Sequence, residues 1–140
     1  MADVKGMLEF KPHHLGISVP DLEASIKWYE NILGFSVEKR MTIEPLKAKI
    51  AFLIKDNFRI EIFEVAGAQP LPEVRRQPHT DIGTHGIKHL AYEVKNVTEF
   101  MDVLKKKGVD VAMDVSKMEN KEMTFIRDNT GNLIEIVEAW

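Results

Sequence analysis

The chain repeats its own plan, and this restricts its folding more than any other feature. A strand-like run, HLGISV at His14–Val19, leads into DLEASIKWYENIL and a glycine at Gly34. A second run, HLAYEV at His89–Val94, leads into NVTEFMDVLKKK and Gly108. In the first helical segment Asp21 is placed to cap the N-terminus, and Leu22, Ile26, Tyr29 and Leu33 recur at helical spacing before the terminal glycine. In the second, Asn96 and Glu99 have the spacing of a capping box, and Val97, Phe100, Met101 and Leu104 form the apolar stripe. Short β-rich runs follow each helix: FSVEKR, KAKIAFLI and FRIEIFEV in the first half, VDVAMDV, EMTFIRD and NLIEIVEAW in the second. The halves also end alike, since IEIFE at Ile60–Glu64 echoes IEIVE at Ile134–Glu138. The offset is constant to one residue: His89 follows His14 by 75 positions, and Glu135 follows Glu61 by 74. The expected fold is α+β, two tandem βαβββ modules that build a curved mixed sheet with the helices on its outer face.

The boundaries follow from this plan. Residues 1–140 read as a single domain, with a first module at 10–65, a linker at 66–86 and a second module at 87–140. The linker, AGAQPLPEVRRQPHTDIGTHG, carries three Pro and three Gly without helical or strand periodicity, and is also a candidate lid. An apolar content of 44% is enough for one ordinary core. With 19 Lys and Arg against 22 Asp and Glu, the net charge of -3 argues against a nucleic-acid partner recruited by bulk electrostatics. The opening MADVKGMLEFKPHH has no apolar signal core, and no apolar run approaches the roughly 20 residues of a membrane span. A cytoplasmic protein without a membrane partner is the expectation. Open sheet edges in a two-module chain lead to the further expectation of a homodimer.

Strand phase selects the side chains available for chemistry. Alternate residues of a strand face opposite sides, so Leu15, Ile17 and Val19 point one way, and His14, Gly16 and Ser18 the other. Ile60 and Ile62 likewise oppose Glu61 and Phe63, Leu90, Tyr92 and Val94 oppose His89 and Ala91, and Ile134 and Ile136 oppose Glu135 and Val137. The apolar set belongs under the helices, which leaves His14, Glu61, His89 and Glu135 on the helix-free face. If the modules curve these faces together, two imidazoles and two carboxylates converge, a donor set suited to a divalent cation with positions left for water or substrate. The chain has no Cys, so thiolate nucleophiles and Cys-type metal sites are excluded and any metal must sit among His and carboxylates.

The segments HLGISVPDLEASIKWYENILGF, GIKHLAYEV and DNTGNLIEIVE together resemble the vicinal oxygen chelate superfamily over nearly the whole chain. That superfamily includes glyoxalase I, methylmalonyl-CoA epimerase, extradiol dioxygenases, fosfomycin-resistance enzymes and bleomycin-binding proteins. The resemblance implies a glyoxalase-like fold and one divalent ion (Zn, Ni, Co, Mn or Fe) held by the first-strand and late-strand residues of each module. Those positions fall here on His14, Glu61, His89 and Glu135. A carboxylate at Glu61 favours the four-ligand glyoxalase and epimerase pattern over the three-ligand one. Ser18 and Val65 stand where glutathione-using members generally carry Arg and Asn, which turns the reading away from glutathione. HLGISV and KHLAYEV look closer to methylmalonyl-CoA epimerase.

The implied activity is that of a metal-dependent isomerase, epimerase or lyase on a small substrate with two vicinal oxygens, working through a metal-stabilised enediolate. Glu135 is the first candidate for the base that moves the proton, and Glu61 the second. Two alternatives belong to other classes. An extradiol-type dioxygenase would use His14, His89 and Glu135 on redox-active iron, and a metal-free binding or resistance protein would line its cleft with aromatics, which make up only 8% of this chain. Several residues have plainer readings. His13 is a solvent or helix-side residue unless the strand is bulged, which would make it the rival of His14. Glu64 and Glu138 read as strand-end surface charges, and Glu93 as a partner to His89 or a solvated charge. His79, His85, Arg75 and Arg76 read as linker surface, with lid or acid-binding roles as the sharper option. Lys105, Lys106 and Lys107 suit a helix C-terminus by charge alone, and Trp28 and Tyr29 read as packing groups.

Overall fold

The computed structural model describes residues 7–140. The first half runs β1 (His14–Ser18), α1 (Leu22–Leu33), β2 (Ser36–Ile43), β3 (Ala48–Lys55) and β4 (Phe58–Val65). After the linker, which holds a short helix α2 (Pro78–Asp81), come β5 (Leu90–Val94), α3 (Val97–Lys106), β6 (Asp110–Met118), β7 (Lys121–Arg127) and β8 (Leu133–Glu138). Each half makes a four-stranded mixed sheet, in the orders β1-β4-β3-β2 and β5-β8-β7-β6. The first and last strands of each half pair in parallel, and the others antiparallel. This is the expected pair of βαβββ modules. Among the described residues no hydrogen-bonded ladder joins β1 to β5, so the sheet is divided at that edge.

The helices start and stop for the reasons their sequences give. The Asp21 carboxylate accepts from Ala24 N at 3.0 Å, and Gly34 closes α1 with φ 76°, a left-handed cap that costs glycine nothing. The Asn96 side chain accepts from Glu99 N at 2.9 Å. Glu64 and Glu138, expected as surface charges, are instead joints between strand and helix. Glu64 accepts from Leu22 N at 3.0 Å, and Glu138 accepts from Val97 N at 3.0 Å and from Glu122 N at 3.1 Å. Leu22 and Val97 open their helices, where N–H groups lack intrahelical acceptors and a carboxylate also complements the helix dipole. The two N–H donors hold the Glu138 carboxyl below the usual carboxylate range.

Both sheets turn their apolar phase toward the helices. Leu53, Ile60 and Ile62 of the first sheet and Ile126, Ile134 and Ile136 of the second are buried in one cluster with Leu22, Ile26 and Tyr29 of α1 and Val97, Met101 and Leu104 of α3. Tyr92 of β5 extends this packing into the first module, with its ring 6.3 Å from Phe35 and 6.1 Å from Phe58. Polar ties cross the same boundary: the Tyr29 hydroxyl donates to Asp128 Oδ2 at 2.8 Å, Asn129 Nδ2 to Ser25 Oγ at 3.1 Å, and Lys107 Nζ to Asn31 O at 2.8 Å.

The linker is more structured than its composition implies. Besides α2 it contains a 3-10 turn at Glu73–Arg76, elements too short to leave a periodic pattern. Its anchor is Asp81, only 1% exposed, whose Oδ1 accepts from Arg75 Nε at 2.6 Å and Lys88 Nζ at 3.3 Å. From β7, Arg127 donates to Arg76 O at 2.7 Å and to Gln77 Oε1 at 2.9 Å. Among the described residues no helix is long and apolar enough to cross a membrane.

Candidate active site

Parallel pairing of β1 with β4 sets Gly16 opposite Glu61, and pairing of β5 with β8 sets Ala91 opposite Glu135. In each module the histidine two residues before that position leans along the strand to the carboxylate. His14 Nε2 lies 2.9 Å from Glu61 Oε2, and His89 Nε2 lies 3.0 Å from Glu135 Oε2. The adjoining Ile60, Ile62, Ile134 and Ile136 are buried on the opposite face, so both His–Glu pairs stand on the helix-free side. The carboxylates are the more enclosed members, at 16% and 20% side-chain exposure, and the imidazoles the more open, at 35% and 27%. Each pair therefore presents nitrogen and oxygen donors toward solvent from rigid strands.

A third strand fixes the imidazole planes. Phe52 of β3 is in register with Glu61, and its ring meets that of His14 edge-on at 5.3 Å. Phe125 of β7 is in register with Glu135 and meets His89 edge-on at 4.8 Å. These phenylalanines were not anticipated, although AFLI at Ala51–Ile54 echoes TFIR at Thr124–Arg127, 73 positions on. His13, the rival to His14, is its neighbour, with the two Nδ1 atoms 2.7 Å apart, one donating and the other accepting. That contact occupies Nδ1 of His14 and leaves Nε2 directed at Glu61.

The donor chemistry fits a divalent cation, since imidazole nitrogen beside carboxylate oxygen suits Zn, Ni, Co, Mn and Fe. The four residues stand as two separate pairs: among the described residues no group of three or more His, Cys, Asp or Glu is close enough to hold one ion. Each module thus presents one imidazole and one carboxylate.

The linker also walls a space that, of the four residues, His89 alone lines. A cavity of about 620 Å³ opens between the facing edges of β1 and β5, with Leu15, Ile17, Lys88 and His89 in its walls and Pro70 and Leu71 over it. Arg75 lines it but is already committed, donating to Asp81 and to Ile87 O at 2.6 Å. His79 and His85 are exposed and line neither this cavity nor the larger one at the far end of β1. Glu93 is exposed and takes no part in the His89 pair.

Comparison with known proteins agrees with this architecture. The chain is 28% identical over 131 residues to human mitochondrial methylmalonyl-CoA epimerase, covering 91% of this chain and 73% of the relative. It is 31% identical over 101 residues to an ethylmalonyl-CoA/methylmalonyl-CoA epimerase of Cereibacter sphaeroides, covering 71% and 72%. A lactoylglutathione lyase of Schizosaccharomyces pombe is 26% identical over 151 residues, covering 98% of this chain and half of that longer protein. Among solved structures, a glyoxalase family protein from Enterococcus faecalis superposes with a TM-score of 0.77 at 24% identity over 91% of this chain and 97% of the other. The family model for the Glyoxalase/Bleomycin resistance protein/Dioxygenase superfamily matches residues 11–136, and with the duplicated βαβββ fold this shows that the chain belongs to that superfamily.

Proposed function

We propose that the chain is an epimerase or isomerase acting on a CoA thioester with a second oxygen near the reacting carbon. The observation that carries this reading is the duplicated His–Glu pair on the helix-free face, 2.9 Å in one module and 3.0 Å in the other. Epimerases are also prominent among the relatives. His14, Glu61, His89 and Glu135 are the residues that would hold one divalent cation, which would supply Lewis-acid polarisation of the substrate carbonyl. The proton chemistry belongs to the chain. Glu135 takes the proton from the carbon next to the carbonyl, and Glu61, from the other module, returns one to complete inversion. Phe52 and Phe125 hold the imidazoles in plane so that the carboxylates are not displaced.

Protein supplied with divalent metal and an acyl-CoA panel in D₂O should place deuterium on the carbon next to the carbonyl, without consuming O₂. Glu135→Gln retains shape but not basicity, so exchange should fall by on the order of 10²-fold or more. Uptake of O₂ with ring-cleaved product would instead select the dioxygenase chemistry. Tight binding without exchange or turnover would select a sequestering protein.

A further inference from the structure

A second cavity, about 780 Å³, lies at the far end of β1 and β4, between the first module, the linker and the β7–β8 turn. It is within the size range of small-molecule sites. Lys47, Lys49 and Arg76 supply three positive side chains to its walls, and Glu64 the one negative. Glu64 is already matched, by Leu22 N through one oxygen and by Lys49 Nζ at 3.3 Å through the other. Arg76 is not. Among the described residues its Nε is buried without a hydrogen-bond partner, and the nearest carboxylate, the 84%-exposed Glu73, is 3.8 Å away. Thr130 Oγ1, in the same wall, is likewise buried and unpartnered. Buried polar atoms are nearly always satisfied, so two orphans beside one cavity call for a ligand.

The backbone makes room for the guanidinium. Gly131 has φ 104°, and a Cβ there would lie 3.0 Å from Arg76 Nη1. Lys47 is held in the left-handed region at φ 49°, which fixes its place in the turn before β3. A guanidinium and a hydroxyl seeking acceptors, with the Lys47 ammonium in the same wall, fit an oxyanion of tetrahedral, multiply charged kind.

We propose that this cavity binds a phosphoryl group, with Arg76, Thr130 and Lys47 as its donors. Ser18 in the wall lies four residues along β1 from His14, about 13 Å at strand rise, so one extended ligand can reach both places. The phosphates at the end of a CoA arm meet this requirement, an assignment that rests on the thioester reading above; free inorganic phosphate carries the same chemistry.

Isothermal titration with coenzyme A, pantetheine and inorganic phosphate tests the site without turnover. Coenzyme A should bind, and Arg76→Gln should weaken it roughly 10- to 100-fold, as expected for a lost charge-assisted contact. Lys47→Asn should weaken it less; this exposed position suits Asn at positive φ, so the variant will fold even where Arg76→Gln does not. Pantetheine affinity should not change in either variant. Phosphate that binds as tightly as coenzyme A, and is lost in the same variants, assigns the cavity to free phosphate. Unchanged coenzyme A affinity in both variants, or no binding of either phosphorylated probe, overturns the proposal. Deuterium exchange on a pantetheine thioester does not use the cavity, so its absence would count against the catalytic reading alone.

Discussion

Asp128, 4% exposed, is the most heavily satisfied carboxylate among the described residues, and it ties the two modules together. Its Oδ1 accepts from the backbone N–H of Thr130 at 2.9 Å, Gly131 at 3.0 Å and Asn132 at 2.9 Å, which shapes the β7–β8 turn. Its Oδ2 accepts from Asn132 Nδ2 at 3.0 Å and from the Tyr29 hydroxyl at 2.8 Å. Removing the acceptor and removing one donor are therefore unequal. Asp128→Ala strands four donors, since Gly131 N also reaches the backbone carbonyl of residue 128, and should cost about 2–4 kcal/mol, whereas Tyr29→Phe leaves the carboxylate four donors and should cost about 1–2 kcal/mol, both readable by urea unfolding. The pH dependence has a definite sign. Burial, then the Asp128 charge, pushes the Tyr29 phenol well above its ordinary value, and burial does the same to Tyr92. A group whose folded value is raised contributes stability that is complete below its unfolded value, about 10 for Tyr, and is lost as pH rises through the folded value. These are the only two tyrosines in the chain, so native protein should show no phenolate absorbance at pH 10–11, and phenolate should appear together with alkaline unfolding. Ordinary tyrosine titration in the folded state would contradict the packing described.

At the scale of the elements, the strand-end carboxylates decide how each helix is attached to its sheet. Glu138 takes two backbone N–H groups, and its lowered value gives stability that is present above the unfolded carboxylate range and lost as pH falls through the folded value. Glu138→Gln should lower Tm at neutral pH and flatten the decline below pH 4.5, whereas a solvated surface charge would leave both unchanged. The helices themselves were legible because Asp21, Asn96 and Gly34 punctuate apolar stripes, and period-two alternation identified which strand residues lie under them. The repeat then matched His14 with His89 and Glu61 with Glu135, while the pairing of each histidine with the carboxylate of its own module came from strand register. What stayed hidden has a common physical origin. An aromatic residue in a strand reads as core, which concealed Phe52 and Phe125, and a charged residue in a turn or at a strand end reads as solvated, which concealed Asp81, Asp128, Glu64 and Glu138. Their roles depend on donors that reach them from distant segments, as when Tyr29 meets a residue 99 positions away. The linker helices were missed because an element of four residues is shorter than the pattern that would reveal it.

At the scale of the whole molecule, the question is how two half-sets of donors become one. Each sheet presents one imidazole and one carboxylate, and the set proposed here needs both. If one ion takes all four, uptake should reach one ion per chain, and His14→Ala and His89→Ala should each abolish it. Two ions per chain, one lost in each variant, would mean independent half-sites and would end the four-donor reading. Binding to the folded state alone adds about 2.7 kcal/mol of stability at a hundredfold excess over Kd, so Tm should rise with metal in the parent protein and not in the variants. The two ways of assembling the set separate on mixing. If the modules of one chain close on each other, His14→Ala and His89→Ala proteins mixed together regain nothing. If the proposed homodimer joins the first module of one chain to the second module of its partner, random exchange makes half the dimers mixed, and each mixed dimer holds one intact site beside one doubly damaged site. Metal uptake should then return to about a quarter of the parent value, and titration of the mixed variants with sedimentation on the same sample would distinguish the two assemblies.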